Sequence, residues 1–182
     1  MKNLYTVVGD EVHITINRKI SRTDRRPAPP MIARVSLNKL PMLQSTDHCW
    51  VAHKSKRDLT HYIQARIGGT GPITSLHRML LGLNRPGMSK YHVDHEDNDG
   101  TNNTDANLRI TNPRGNALNR RTAKTDLSGV RQDGSRWVAN VGIGKQRKKY
   151  LGSFATQEEA SSAYQEARIR LISVETVHAI KA

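Results

Sequence analysis

Residues 91–116 read Tyr91-His-Val-Asp-His-Glu-Asp-Asn-Asp-Gly-Thr-Asn-Asn-Thr-Asp-Ala-Asn-Leu-Arg-Ile-Thr-Asn-Pro-Arg-Gly-Asn116. This stretch gathers Asp94, Glu96, Asp97, Asp99 and Asp105, with no Lys or Arg before Arg109. The rest of the chain is strongly basic. Over 182 residues, 29 Lys and Arg face 16 Asp and Glu, a formal net charge of +13. Such a charge draws a protein to a polyanion. An acidic island with histidine in it suggests a cation held against that polyanion, and the combination points to a nuclease.

The local signals inside the stretch are ordered. Tyr91 to His95 is a candidate strand. Glu96 to Ala106 is rich in Asp, Asn and Gly, whose side chains bond their own backbone and favour turns. Asn107-Leu-Arg-Ile-Thr111 is a second strand. Asn112 then reads as a helix N-cap, with Pro113 at the first helical position. The order is strand, long loop, strand, helix, with Asn116 one turn into that helix.

Upstream, Val12-His-Ile-Thr-Ile16 alternates as a half-buried strand does. Arg22 to Pro30 is basic and proline-rich and reads as a loop or linker. Short apolar stretches in 31–40 and 49–53 suggest strands, and His61 to Ile67 alternates again. Thr74 to Leu83 looks helical, with Leu76, Leu80 and Leu83 on one face. Downstream, residues 123–127 read as a polar linker. Strands are predicted at Gly129–Gln132, Arg136–Ile143 and Lys149–Phe154. Thr156-Gln-Glu-Glu159 is a capping box, and Ala160, Ala163, Tyr164, Ala167 and Leu171 recur behind it at helical spacing.

Composition narrows the class. Hydrophobic residues make up 36% and aromatics 4%, which favours small modules over one large core. No apolar run approaches the ~20 residues that span a bilayer, and the first residues lack a signal-peptide core. Cys49 is the single cysteine, so an intrachain disulfide and a Cys-pair zinc ribbon are excluded. The expectation is a cytoplasmic α+β protein that binds double-stranded DNA as a monomer and does not enter a membrane.

Phosphodiester hydrolysis requires a base for water, charge at the phosphorus, and stabilisation of the departing 3′ oxygen. Histidine, with an ordinary pKa of about 6.5, suits the first. Mg²⁺ suits the other two; it takes oxygen ligands and leaves room for phosphate and water. Asp94 and His95 are neighbours on a predicted strand, so they serve one site only if the strand ends and twists there. Asp97 and Asp99 read as solvated loop carboxylates, with an outer-shell water holder as the alternative; Asn102 and Asn103 read equally as Asx-turn residues, and Asn107 less so. His77 reads as a packing and hydrogen-bonding residue on the preceding helix.

Residues 74–121 resemble the HNH endonucleases, of the ββα-metal fold. The resemblance rests on Leu76-His77-Arg78, Val93-Asp94-His95, Asn102-Asn103, Asn107-Leu108-Arg109 and Asn116-Ala-Leu-Asn119-Arg120. It implies that His95 is the general base and that Asp94 and Asn116 bind one divalent metal, Mg²⁺ first and Mn²⁺ as the alternative. It also implies that Asn107 braces the loop and orients the histidine. The third signature position is Asn here, as in the phage and intron-homing branch.

Residues 128–172 resemble the plant ethylene-response-factor (AP2/ERF) DNA-binding domain. The matching residues are Ser128-Gly129-Val130-Arg131, Arg136-Trp137-Val138-Ala139, Lys149 to Phe154, and Thr156 to Ala160 with Ala163-Tyr164. The resemblance implies that Arg131, Arg136, Lys148 and Tyr150 face DNA, while Trp137, Leu151 and Phe154 pack on Ala160 and Tyr164. Arg120 and Arg147 join them as basic residues placed to meet phosphate. Ser128, Asp133 and the missing tryptophan of the first turn depart from the plant pattern, so the plant target sequence does not transfer.

The organisation expected is therefore a β-rich segment over 1–70, either part of the nuclease or a DNA clamp, then a nuclease module over 71–122. A linker at 123–127 follows, and then a DNA-binding domain over 128–174 with a three-stranded antiparallel sheet and one helix. The function expected is a site-specific homing-type endonuclease that nicks one strand. The rivals are a non-catalytic DNA-binding regulator with a decayed nuclease fold, and a nonspecific defence or toxin nuclease.

Overall fold

The computed structural model describes residues 1–17, 29–54, 60–119, 129–144 and 147–181. Arg120, Lys145, the 123–127 linker and most of the Arg22–Pro30 loop lie outside them. The protein is α+β, with several small sheets and four α-helices among the described residues. It divides into two compact units, Met1–Ile110 and Thr111–Ala182.

The first unit is built on alternation. Strand β1 (Tyr5–Val8) pairs antiparallel with β2 (Glu11–Ile16), and β2 with β3 (Met31–Ser36). In β2, Val12, Ile14 and Ile16 are buried, and the residues between them are half-buried, as a period of two requires. A 3₁₀ turn (Leu37–Lys39) and helix α1 (Leu40–Gln44) follow β3. A second sheet joins β4 (Val51–His53), β5 (Tyr62–Arg66) and β6 (Ile73–Ser75), all antiparallel. Helix α2 (Leu76–Leu80) follows, and its Leu76, Met79 and Leu80 share one core with Trp50, Ile63, Val35 and the inner face of β2.

The helix expected from Thr74 starts later. Ser75 is extended (φ −96°, ψ 138°), and Thr74 and Ser75 pair with Ala65 and Gln64, so the first residues of the pattern belong to a strand. The β-branched Ile73 and Thr74 favour that choice. Beyond the helix, Arg78 closes the turn. Its guanidinium donates to the carbonyls of Tyr91 (2.7 Å), Leu83 (2.6 Å) and Met88 (3.0 Å). One residue thus ties α2 to the start of β7 (His92–His95).

β7 forms a two-stranded sheet with β9 (Leu108–Thr111). Between them, the loop contributes β8 (Asn102–Asn103), which pairs in parallel with β3 as the fourth strand of the first sheet.

In the second unit, α3 (Pro113–Asn119) starts on the expected cap. Asn112 Oδ1 accepts from the amides of Arg114 (3.0 Å) and Gly115 (2.9 Å). The other end of α3 is closed by Arg168, which donates to the carbonyls of Leu118 (2.5 Å) and Asn119 (2.9 Å). Arg168 comes from α4 (Gln157–Lys181). From the same helix, Glu175 accepts from Asn112 Nδ2 (2.6 Å) and pairs with Arg114 (2.7 Å). The sheet here is β10 (Val130–Asp133), β11 (Arg136–Gly144) and β12 (Arg147–Phe154), antiparallel throughout. The capping box forms as expected: Thr156 Oγ1 accepts from the Glu159 amide, and Glu159 returns to the amide of Thr156.

Gly129 and Gly134 both have left-handed φ, with different surroundings. At Gly129 (φ 90°) an added Cβ meets the Tyr164 ring at 2.3 Å and the Asn140 carbonyl at 2.5 Å; at Gly134 (φ 61°) it meets nothing within 4 Å. Gly134→Ala is expected to cost only the left-handed backbone term, about 1–2 kcal/mol. Gly129→Ala adds overpacking and is expected to cost roughly 1–3 kcal/mol more. Urea unfolding of the two variants checks the ranking, and equal costs would contradict the packing of α4 on β10 and β11.

Candidate active site

The end of β7 carries the two central candidate residues. Asp94 and His95 are each 5% exposed and occupy the strand's last two positions. The strand therefore ends at the pair, which is the first of the two conditions that a shared site required.

The loop after them is organised by its own side chains. Asp97 Oδ1 accepts from the Asp99 amide (2.7 Å) and from Asn107 Nδ2 (2.9 Å). Asp97 Oδ2 accepts from Asn102 Nδ2 (2.7 Å). In return, Asn107 Oδ1 accepts from the Asp97 amide (3.0 Å), and Asn107 Nδ2 also donates to the Asn102 carbonyl (2.7 Å). Asp99 Oδ1 accepts from the amide (2.9 Å) and hydroxyl (2.8 Å) of Thr101. Asn98, at φ 62°, takes the left-handed conformation that Asn tolerates. Partial burial pushes the Asp97 carboxyl up, but the bonds from Asn102, the Asp99 amide and Asn107 outweigh it and hold the group below the usual carboxylate range.

So Asp97 and Asp99 are hydrogen-bonded frame residues rather than merely solvated carboxylates. Asp105 has a similar task. Its amide donates to Ser36 Oγ (2.8 Å), and its carboxylate accepts from Asn38 (2.8 Å) and pairs with Lys39 (3.4 Å). Asn107 braces the loop, and the amide that meets His95 is that of Asn103, with Oδ1 at 3.4 Å from His95 Nε2.

Three rings meet at the site. The centroid of His95 lies 5.2 Å from that of His77 and 5.8 Å from that of Tyr62, and His77 and Tyr62 are 5.9 Å apart. Desolvation lowers the His95 pKa; the Asn103 bond and the charges of Asp97, Asp94 and Asp99 oppose it without overcoming it. Burial, then the His95 ring and Arg78, take His77 down to about 3. Among the described residues, His77 Nδ1 is buried without a hydrogen-bond partner, so at this nitrogen the ring packs and does not make the hydrogen bond expected of it. The sequence held no cue for Tyr62, which comes from the β4–β5–β6 sheet.

Arg109 was also missed. Its Nε and a terminal nitrogen both reach Asp94 Oδ2, at 2.7 and 2.6 Å, and its other nitrogen lies 3.9 Å from Glu96. The signal existed: Arg109 is the one cation in the second strand of a strand-loop-strand unit whose first strand carries the buried carboxylate.

Among the described residues, no three His, Cys, Asp or Glu side chains form a group of metal-binding size. A Mg²⁺ ion that takes one protein carboxylate, with phosphate and water completing its shell, does not need such a group. Asp94 offers a hard carboxylate of that kind, shared with Arg109. Asn116 lies on α3 in the second unit.

In the second unit, Arg131, Arg136, Arg147, Lys148 and Tyr150 are all exposed. Cross-strand register sets Arg131 opposite Val138, Tyr150 opposite Asn140 and Lys148 opposite Gly142. Arg136 lies across β12, donating to the hydroxyl and carbonyl of Ser153. Trp137, Leu151 and Phe154 are half-buried, and Ala139 and Ala160 are fully buried.

No protein-family model, no curated protein and no solved structure matches the chain. Among the described residues, no helix is long and apolar enough to cross a membrane.

The depressed pKa of His77 predicts a pH dependence of stability. The unfolded chain binds a proton at this histidine below about 6.5, while the folded chain resists until about 3. Stability is therefore lost as pH falls through that window. His77→Phe, which cannot take up the proton, is expected to lose less stability than wild type between these limits, as measured by urea midpoints across pH. Equal slopes would refute the neutral buried imidazole.

Proposed function

We propose that the chain is a metal-dependent DNA endonuclease of the HNH type, working as a monomer on double-stranded DNA, with the sheet of the second unit reading the site. The observation that carries the proposal is the buried Asp94–His95 pair at the end of β7, each side chain held by its own partner, in a protein of net charge +13. The ββα-metal module, the ERF-like domain and a cytoplasmic location belong to the same proposal.

In this reading a ring nitrogen of His95 takes a proton from water. The water oxygen bonds to phosphorus, the bond from phosphorus to the 3′ oxygen breaks, and the leaving oxygen takes a proton from solvent. A divalent metal on Asp94, Mg²⁺ or Mn²⁺, supplies positive charge at the phosphate. Asn116 is proposed as its second protein ligand and Asn107 as the brace of the loop. Arg131, Arg136, Lys148 and Tyr150 meet DNA from the sheet; Arg120 and Arg147 contribute phosphate contacts. Those contacts hold the protein on DNA and a few base contacts choose the site.

One observation favours a second reading. Arg109 already neutralises Asp94, so the buried carboxylate needs no metal to balance its charge, which fits a DNA-binding regulator without catalysis.

Plasmid cutting with Mg²⁺ and mapping of the ends separates the readings. Sharp nicks support the site-specific enzyme, ragged degradation a nonspecific nuclease, and no cutting the regulator. His95→Ala is expected to abolish cutting, at least about 100-fold for loss of a general base, while DNA affinity is kept. Unchanged cutting would remove His95 from the chemistry. Asp94→Ala and Asn116→Ala are each expected to lose both cutting and the rise in melting temperature that Mg²⁺ gives the wild type; retention of that rise in either variant removes the altered residue from the metal site.

Arg131→Ala is a separate test of the sheet. It is expected to weaken site preference while nonspecific cutting persists. Footprints unchanged at the preferred site would take Arg131 out of recognition.

A further inference from the structure

We infer that Arg168 and Glu175 of α4 are positioning residues for Asn116. They hold α3 from both ends, so the proposed metal ligand is placed by the same helix that covers the proposed DNA-reading sheet. The metal step of this inference rests on the nuclease proposal; the clamp on α3 stands without it.

α3 is a poor helix by itself. It is seven residues long and reads Pro-Arg-Gly-Asn-Ala-Leu-Asn. Isolated helices shorter than about 12 residues are marginal in water, and Gly115 and the two asparagines lower the propensity further. The missing stability comes from α4. At the start of α3, Glu175 accepts from Nδ2 of Asn112, the residue whose Oδ1 caps the helix, and pairs with Arg114. Glu175 is 9% exposed, so its carboxylate depends on these partners as much as they depend on it. At the end of α3, Arg168 donates to the carbonyls of Leu118 and Asn119. Gln165 Oε1 accepts from the same guanidinium (3.1 Å) and steadies its direction. The middle of α3 is set by contact. A Cβ on Gly115 meets Thr111 Oγ1 at 2.1 Å and Glu175 Cβ at 3.0 Å, so α3 lies against α4 with a closeness that a side chain at 115 disturbs. Asn116 follows Gly115 directly.

The first half of α4 is committed to the sheet. Ala160 is fully buried, and the Tyr164 ring lies against Gly129, just before β10. From Tyr164 to Glu175 a helix rises roughly 16–17 Å, at 1.5 Å per residue. One helix thus carries the sheet along its first half and α3 further on, all within the second unit. Asn116 is thereby tied to the sheet that presents Arg131, Arg136, Lys148 and Tyr150. On the nuclease proposal, the DNA that the sheet holds sets where this metal ligand lies, and the place of cutting follows from the site that is read.

Two measurements on the ¹⁵N-labelled full chain test the inference, and neither depends on cutting. The first is amide hydrogen exchange at residues 116–119. Arg168→Ala removes both bonds to the α3 carbonyls, and exchange there is expected to quicken about tenfold while the amides of β10 and β11 keep their rates. The second is a Mn²⁺ titration followed by paramagnetic broadening of the Asn116 side-chain amide. Arg168→Ala is expected to need about tenfold more Mn²⁺ than the wild type, with DNA affinity unchanged, as loss of an outer partner of a metal ligand does. Arg168→Lys, which restores one donor, is expected to fall between the two. A role in folding alone leaves the Mn²⁺ midpoint where it was.

Unchanged exchange at 116–119 in a folded Arg168→Ala protein overturns the clamp. Faster exchange with an unchanged Mn²⁺ midpoint overturns the positioning role and leaves the nuclease proposal standing. A wild type in which Mn²⁺ does not reach Asn116 overturns Asn116 as a ligand and the positioning role with it, while exchange still judges the clamp. If Arg168→Ala does not fold, Arg168→Lys and Glu175→Gln, which each keep part of the clamp, carry both measurements.

Discussion

The carboxylate of Asp97 receives hydrogen bonds from Asp99, Asn102 and Asn107, and the placement of His95 follows from them. A polar loop between two strands has many backbone groups and few ways to satisfy them away from water. Asp97 solves this by bringing the beginning of the loop to its end. Asn107 bonds the Asp97 amide and carboxylate and the Asn102 carbonyl, which fixes Asn102. Asn103 is then held next to Asn102 in β8, facing the ring of His95. The residue most directly concerned with the histidine is thus placed by a carboxylate that does not touch it.

The same loop closes the first sheet. β8 adds to β3 through Arg34 and Val35, and the Arg34 amide donates to the Thr101 carbonyl (2.9 Å). Asp105 fastens the far side to Ser36, Asn38 and Lys39. Residues distant in sequence therefore complete the site's frame, and the charge of the acidic island is mostly spent on that frame. Asp97, Asp99 and Asp105 hold backbone and side chains in place; Asp94 pairs with Arg109 and, on the nuclease proposal, is the carboxylate assigned to the metal.

What was legible in the sequence was local. Alternation in β2 and β5, the Asn112 cap and the Thr156–Glu159 box each act within a few residues, and each was found where it was read. The order strand, loop, strand, helix was legible for the same reason. What escaped was long-range. Thr74 and Ser75 fit a helical pattern, yet their partners in β5 drew them into a strand. Tyr62 reaches His95 and His77 only because three separate elements converge, and no spacing records that. β8 is two residues long and exists through its pairing with β3. The candidate site divides the same way: Asp94, His95 and Asn107 were named from their motif, whereas Arg109 and Asn103 acquire their partners through tertiary structure.

Arg109 bears most on how a basic protein keeps an acidic residue buried. Asp94 is 5% exposed, and a carboxylate so placed stays ionised at neutral pH only with compensating charge and hydrogen bonds. Arg109 supplies both through two contacts to one oxygen. Breaking such a pair from one side costs about 3–5 kcal/mol, whereas the intact pair adds little net stability. The pair is therefore better understood as a condition for burial than as a source of stability. On the nuclease proposal it also sets a threshold. A divalent cation must share or take over a carboxylate that is already neutralised, and it does so most readily when a phosphate arrives with it and offers the guanidinium another partner. Metal and DNA are then expected to bind with positive coupling, because each relieves the cost that the other meets at Asp94 and Arg109.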